Sequence, residues 1–196
     1  DLHFQNGSYP YPLPVILGHE SAGVVEAVGS DVKYVQRGDH VITCLSAFCG
    51  HCEYCLTGQM SLCQEPELQR KGGESPRLAQ EGTPIAQFLN LSSFAEYMLV
   101  HEHAVAKVRE DMPLDRAALI GCGVTTGVGA VIHTAAVEPG STVAVIGCGG
   151  VGLSCINGAE IAGASRIIAV DTIASKLELA RKFGATEVVN AADNDP

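Results

Sequence analysis

The chain has no tryptophan, only 5% aromatic residues and three methionines. It also has no apolar run long enough to span a bilayer, so a membrane role is not expected. Lysine and arginine together number 12 against 22 acidic residues, a net charge of −10. No basic cluster interrupts that acidity, which excludes a nucleic-acid-binding surface. There is no internal repeat and no low-complexity tract, so solenoid and linker architectures are excluded too. Asp1-Leu2-His3-Phe4 lacks the basic start and apolar segment of a secretory leader. What remains is 196 residues, 46% of them hydrophobic, enough for one large core or two modest ones.

Thr142 to Asp171 is the most informative stretch. Val143 to Ile146 is β-branched and apolar, the composition of a buried parallel strand. It runs into Gly147-x-Gly149-x-x-Gly152 and then a helix-forming run. Gly147 allows the tight turn. Gly149, without a Cβ, leaves room for a pyrophosphate, and Gly152 lets helix and strand pack closely. The helix N-terminus offers unpaired N–H groups and partial positive charge to phosphates. A second strand ends in Asp171, 19 positions after Gly152, where a carboxylate can accept both ribose hydroxyls of NAD. Asp171 would repel a 2′-phosphate, and Thr172 and Ile173 supply no arginine to receive one, so NAD is expected over NADP.

Eight cysteines could signal secreted disulfides, but their spacing points to metal and a reducing cytoplasm. Cys49-x-x-Cys52-x-x-Cys55-x7-Cys63 can close a tetrahedral Zn²⁺ shell inside one short loop. With no open position, such a site is structural. His51 is read as a spacer, because four thiolates suffice. Cys44, Cys148 and Cys155 are read as small buried residues.

The rest of the chain is less specific. Pro10, Pro12 and Pro14 enforce an extended path before Gly18-His19-Glu20. Ser21 to Gly29, Gly38 to Thr43, Ala95 to Val100 and Ala104 to Val108 read as strands of a compact, barrel-like β domain. Residues 64–90, with Gly72-Gly73 and Gly82-Thr83-Pro84, read as a long surface loop in which Arg70, Lys71 and Arg77 form a solvated face. His40, His101 and His103 are placed on the surface. Pro113 and Asp115 mark a helix start, Gly121-Cys122-Gly123 interrupts it, and Val124 to Val137 reads as a longer helix. Thr172 is a candidate N-cap for the helix carrying Ile173, Leu177 and Ala180, with Gly184 after its end and a third strand at Glu187 to Val189. Taken singly, His19 and Cys122 could be ordinary packed residues or ligands.

Four motifs occur in the order and spacing of one family. Gly18-His19-Glu20, the Cys49–Cys63 lobe, Gly121-Cys122-Gly123-Val124-Thr125-Thr126-Gly127 and Gly147-Cys148-Gly149-Gly150-Val151-Gly152 resemble the zinc-dependent, medium-chain alcohol dehydrogenases. The likeness covers essentially the whole chain and is nearest the bacterial and class III-like branch that keeps the cysteine lobe. It implies an incomplete GroES-like β-barrel catalytic domain over 1–123, with the zinc lobe at 44–64. The first half of a Rossmann NAD-binding domain would follow over 124–196.

By the same resemblance, His19 and Cys122 match catalytic zinc ligands, and Glu20 matches the acid beside that metal. Asp1 matches the carboxylate that orients the zinc histidine, and His3 the histidine that passes the alcohol proton to solvent. Thr126 would face the nicotinamide end of the cofactor, with Val151 packed near it and Gly150 in the phosphate turn. Lys176 would reach the adenosine ribose beside Asp171, and Phe88 and Leu89 would line the substrate pocket. The family's first catalytic cysteine and its proton-accepting Ser or Thr would lie before Asp1, so little activity is expected of these residues alone. The expected reaction is NAD-linked interconversion of a small-molecule alcohol with an aldehyde or ketone, in a homo-oligomer (dimer or tetramer by analogy). A formaldehyde–thiol adduct dehydrogenase, a zinc-free quinone or enoyl reductase, and a non-catalytic zinc-binding remnant are the alternatives.

Overall fold

The computed structural model describes residues 1–65, 68 and 75–193. Gly72-Gly73, Arg70 and Lys71 lie outside the described residues. The chain divides into two compact units, 1–121 and 122–196.

The first unit opens with a short helix α1 (Leu2–Gln5) and strands β1 (Val15–Ile16), β2 (Ala22–Val24) and β3 (His40–Thr43). A four-residue helix α2 (Glu53–Leu56) sits inside the cysteine lobe, and β4 (Leu78–Gln80), β5 (Thr83–Gln87) and β6 (Val105–Lys107) follow. The strands make two three-stranded sheets. One is ordered β1-β5-β4; the other, β2-β3-β6, is antiparallel throughout. Helix α3 (Leu114–Ala117) and a 3-10 turn to Gly121 end the unit. Gly121 is required there: a Cβ would overlap the Thr43 carbonyl oxygen and come within 3.2 Å of its carbon.

Three strand readings change. The stretch read as a loop at 64–90 contains the β4–β5 hairpin, in which Gln80 pairs with Thr83 across a two-residue turn. Glu81 and Gly82 both have positive φ (50° and 81°), the geometry that matches strand twist in a tight hairpin. Arg77 is not simply solvated, because its guanidinium donates to Gln87 Oε1 at 2.8 Å. Residues 95–100 form no strand. Leu89, Asn90 and Ser92 all take positive φ just upstream and turn the chain away from a ladder. In β2 the ladder ends early: Val25 still exchanges bonds with Asp39 and Gly38, and the chain then leaves the sheet.

The second unit starts with α4 (Gly123–Gly129), which continues as a π-helical turn over Ala130–Thr134 rather than as one regular helix. The Ala135 N–H reaches Ala130 O at 2.8 Å, a wider ring than the α-helical one, and Ala136 at φ 48° stops the helix. Then come β7 (Thr142–Ile146), α5 (Gly150–Ile161), β8 (Arg166–Asp171), α6 (Ala174–Lys182) and β9 (Glu187–Asn190). The sheet is parallel in the order β7-β8-β9, so each crossover is a helix. Its core gathers Val145, Leu153, Ile156, Ile167, Ala169, Leu177 and Ala180, with Ile156, Ala159, Ala169 and Ala180 fully buried. The N-cap of α6 is Ile173 rather than Thr172, and Asp171 Oδ1 accepts its N–H at 3.0 Å. No single helix among the described residues is long and apolar enough to cross a membrane.

Candidate metal and dinucleotide sites

The four cysteines of the lobe converge. Gly50 and Gly58, both at positive φ (87° and 79°), turn the chain so that Cys49, Cys52, Cys55 and Cys63 face one point. Cys52 Sγ lies 3.5 Å from Cys55 Sγ and 3.9 Å from Cys63 Sγ, and Cys49 Sγ lies 3.8 Å from Cys55 Sγ. Zn–S bonds of about 2.3 Å place tetrahedral sulfurs about 3.8 Å apart. The donor set therefore fits Zn²⁺ in distance as well as in softness.

Backbone amides prepare the thiolates. The N–H groups of Cys52 and His51 donate to Cys49 Sγ at 3.3 and 3.5 Å, and the Cys49 N–H donates to Cys63 Sγ at 3.4 Å. The Glu65 N–H, with that of Cys49, brings the Cys63 thiol down to about 7. Burial pushes Cys55 up to about 11. A cation at the centre favours loss of both protons, so binding here releases protons.

In the second unit the glycine turn has the expected geometry. Gly147 takes φ 94°, and its N–H donates to Val170 O at 2.8 Å, tying the turn to β8. A Cβ on Gly152 would overlap the Gly147 carbonyl oxygen, so only glycine lets α5 start this close to β7. Helix α5 begins at Gly150, inside the glycine motif rather than after it, with Gly149 as N-cap. A Cβ on Gly149 or Gly150 would meet nothing within 4 Å. Their lack of side chains serves open space above the N–H groups of the first turn, which is the cradle a pyrophosphate fills.

Asp171 braces that cradle. Oδ2 accepts the Cys148 N–H at 2.8 Å, inside the glycine turn, and lies 3.8 Å from Lys176 Nζ. The N–H groups of Cys148 and Ile173, and then Lys176, hold its carboxyl below the ordinary value. An ionised carboxylate has about four lone-pair sites, so acceptor capacity remains for ribose hydroxyls. Val151 is exposed on the first turn of α5, and Thr126 is exposed on α4. Gly127, next to Thr126, faces α5 so closely that a Cβ would lie 2.5 Å from Val151 O and 2.8 Å from Cys155 N. Gly158 meets Val128 Cα in the same way, at 3.1 Å. These two helix-packing glycines were missed in the sequence; their four-residue neighbourhoods of small side chains were the available signal.

In the first unit, Asp1 Oδ1 accepts the Gly18 N–H at 3.2 Å and lies 3.5 Å from His19 Nδ1. His19 Nδ1 is buried without a well-aligned hydrogen bond. A carboxylate on the Nδ1 side leaves Nε2 as the nitrogen to ligate a cation. Phe88 is 1% exposed and packs edge-on against Phe4 (4.9 Å) and beside His19 (6.0 Å), so its ring supports the histidine from within the core. Leu89 is half-buried, at φ 49°. Exposed His3 lies on α1 with its ring 5.3 Å from Tyr9, and Glu20 is exposed beside His19. In the second unit, Cys122 is the N-cap of α4, its carbonyl accepting the Thr126 N–H at 2.8 Å.

Some placements differ from expectation. His103 is half-buried, stacked on Phe48 at 4.7 Å and bonded to the Phe48 carbonyl at 2.7 Å, so it buttresses the entry to the cysteine lobe. His40 and His101 are likewise partly buried. Of the remaining cysteines only Cys148 is buried; Cys44 and Cys155 keep partial exposure.

Known proteins share both units. The family described as "Alcohol dehydrogenase GroES-like domain" matches residues 1–110, and "Zinc-binding dehydrogenase" matches 150–196. The chain is 47% identical to alcohol dehydrogenase class-3 of Oryza sativa subsp. japonica, covering 100% of this chain and 53% of that protein. It is also 47% identical to S-(hydroxymethyl)glutathione dehydrogenase of Escherichia coli, over 93% of this chain and 51% of that one. The crystal structure of benzyl alcohol dehydrogenase from Acinetobacter calcoaceticus superposes with a TM-score of 0.86 at 41% identity, covering 100% of this chain and 54% of that chain. The chain thus spans about half the length of the curated relatives it matches.

Proposed function

Since the chain belongs to the zinc-dependent medium-chain alcohol dehydrogenase family, we propose that the protein is an NAD(H)-dependent oxidoreductase interconverting an alcohol and its aldehyde or ketone. The observation that carries this reading is the turn from Gly147 to Gly152, open above Gly149 and Gly150 and fastened to Asp171. That unit suits a dinucleotide carrying ribose hydroxyls, and a 2′-phosphate would meet the Asp171 carboxylate.

Each residue then has a role. The first-turn amides of α5 bind the pyrophosphate, Asp171 and Lys176 take the adenosine ribose, and Thr126 and Val151 bound the nicotinamide end. His19 and Cys122 are the proposed ligands of a catalytic zinc, with Asp1 fixing the tautomer of His19 and Glu20 beside the metal. His3 passes the alcohol proton to solvent and Leu89 borders the substrate, whereas Phe88, expected to line the same pocket, is buried and backs His19 instead. When bound, zinc supplies Lewis acidity that lowers the alcohol pKa, and the nicotinamide supplies the hydride acceptor. Cys49, Cys52, Cys55 and Cys63 hold a second, structural zinc that fixes the lobe. A cytoplasmic homo-oligomer is the expected setting.

A thiol adduct of formaldehyde is a second substrate reading, favoured by the 47% identity to S-(hydroxymethyl)glutathione dehydrogenase. The test is NADH formation by the full-length protein with primary, benzylic and secondary alcohols, and with formaldehyde plus glutathione. Turnover with NAD, at least tenfold weaker with NADP, is expected. No NAD-linked turnover on any of them would refute the reading.

A further inference from the structure

The cysteine lobe holds a second constellation of ligand atoms. The Sγ of Cys49, a ring nitrogen of His51 and a carboxylate oxygen of Glu65 all lie within 4.8 Å of one another. Cys49 belongs to this set and to the four-thiolate set alike. The three differ in exposure: His51 is exposed, whereas Cys49 and Glu65 are half-buried. Glu65 follows Cys63 by two positions and His51 precedes Cys52 by one, so both ends of the lobe contribute.

We propose that Cys49, His51 and Glu65 form an entry site that captures Zn²⁺ from solvent and passes it to the four-thiolate shell through the shared Cys49. This rests on the lobe's binding a structural zinc. The chemistry gives the direction. Zinc in water carries a shell of oxygen ligands, and an imidazole and a carboxylate at the surface replace part of that shell without requiring several thiols to deprotonate at once. Four thiolates are the softer and more complete set, so transfer inward is downhill. Because Cys49 stays bound throughout, the ion is never released. As Cys52, Cys55 and Cys63 join, each thiol that was protonated gives its proton to solvent, and His51 and Glu65 dissociate as ligands. No oxidation state changes. At rest His51 is outside the shell, in keeping with its reading as a spacer; its work is during loading.

The experiment is metal-loading kinetics on the full-length protein, stripped of metal under reducing conditions. Zn²⁺ uptake is followed against a chromogenic chelator, and Co²⁺ uptake by its ligand-field bands. His51→Ala combined with Glu65→Gln should slow loading about tenfold, since local charge and prepositioned ligands act on the association rate. The final metal content and the tetrathiolate Co²⁺ spectrum should not change. Glu53→Gln, which removes an equal charge from α2 in the same lobe, should leave the rate near wild type. Wild-type Co²⁺ loading should also show a transient with weaker sulfur-to-metal absorption. Equal rates in wild type and double variant, or equal slowing by Glu53→Gln, would overturn the entry site. If the wild-type lobe retained no metal at all, the structural-zinc reading itself would fail, a result distinguishable from either.

Discussion

Two alanine substitutions, three residues apart, should separate folding from cofactor binding. At Gly152 an added Cβ would overlap the Gly147 carbonyl oxygen and sit 3.0 Å from its carbon and 3.6 Å from Val145 Cγ1. Carbon atoms pack best at about 3.5–4.0 Å, and the overlapped carbonyl oxygen is the limiting contact, so the first turn of α5 must move about 1 Å or more from β7. The obstacle is backbone, which has no rotamer to change. Alanine gains about 1 kcal/mol of helix propensity over glycine, and overpacking costs about 1–3 kcal/mol or more. The sum is a net loss that should lower the melting temperature. Gly149 is the opposite case. Its φ of −80° suits any residue, and its Cβ would meet nothing within 4 Å. Gly149→Ala should therefore melt like wild type while NAD affinity falls at least about tenfold, or about 1.4 kcal/mol. Thermal melts and NADH fluorescence titrations on the full-length protein read both effects. Normal NAD binding by Gly149→Ala would refute the assignment of the open cradle, and an unshifted melt for Gly152→Ala would refute the packing argument.

Other outcomes follow from the same geometry. Ile156→Ala, at a fully buried position under the parallel sheet, should cost about 2–5 kcal/mol in urea unfolding. Stability should fall on the acid side. Asp39 is held down by Lys107 and the Gln36 N–H, Glu102 by the N–H groups of Tyr34 and Lys33, and Asp171 by those of Cys148 and Ile173. A depressed folded pKa gives stability that is complete above the unfolded values of about 4 and is lost as pH falls through the folded ones. The urea midpoint should thus hold from pH 7 to about pH 5 and drop below that, and Glu102→Gln should flatten the drop. Chelation of zinc should expose residues 49–63 to limited proteolysis before the rest of the chain, because few apolar contacts hold this lobe; simultaneous cleavage everywhere would contradict that.

The informative parts of the sequence were those in which spacing alone constrains geometry. Four cysteines within 15 residues and four glycines within six leave little freedom: the sulfurs converge, and the glycine turn brings α5 close against β7, although the helix starts at Gly150. The β4–β5 hairpin was not legible because its turn is Glu81-Gly82, without the Asn or Asp that usually signals it, and Pro84 next door suggested a loop. Residues 95–100 read as a strand on composition, but a strand needs a ladder partner and these residues pair with none among the described residues, following a stretch turned by the positive-φ residues Leu89, Asn90 and Ser92. The helix after Gly123 looked continuous because the π turn at Ala130–Thr134 depends on hydrogen-bond register, which side chains there do not announce. Gly127 and Gly158 acquire meaning only once α4 and α5 are packed together. His51 and Glu65 likewise acquire theirs only from the folded lobe, which brings them to the shared sulfur of Cys49.

The most direct test of the account is zinc per chain in the full-length protein, with and without Cys122→Ala. About two zinc ions, falling to about one in the variant while the tetrathiolate lobe stays loaded, is the predicted result. A single zinc unchanged by the substitution would contradict the catalytic assignment of Cys122 and leave a dinucleotide-binding protein with a structural zinc and some other chemistry.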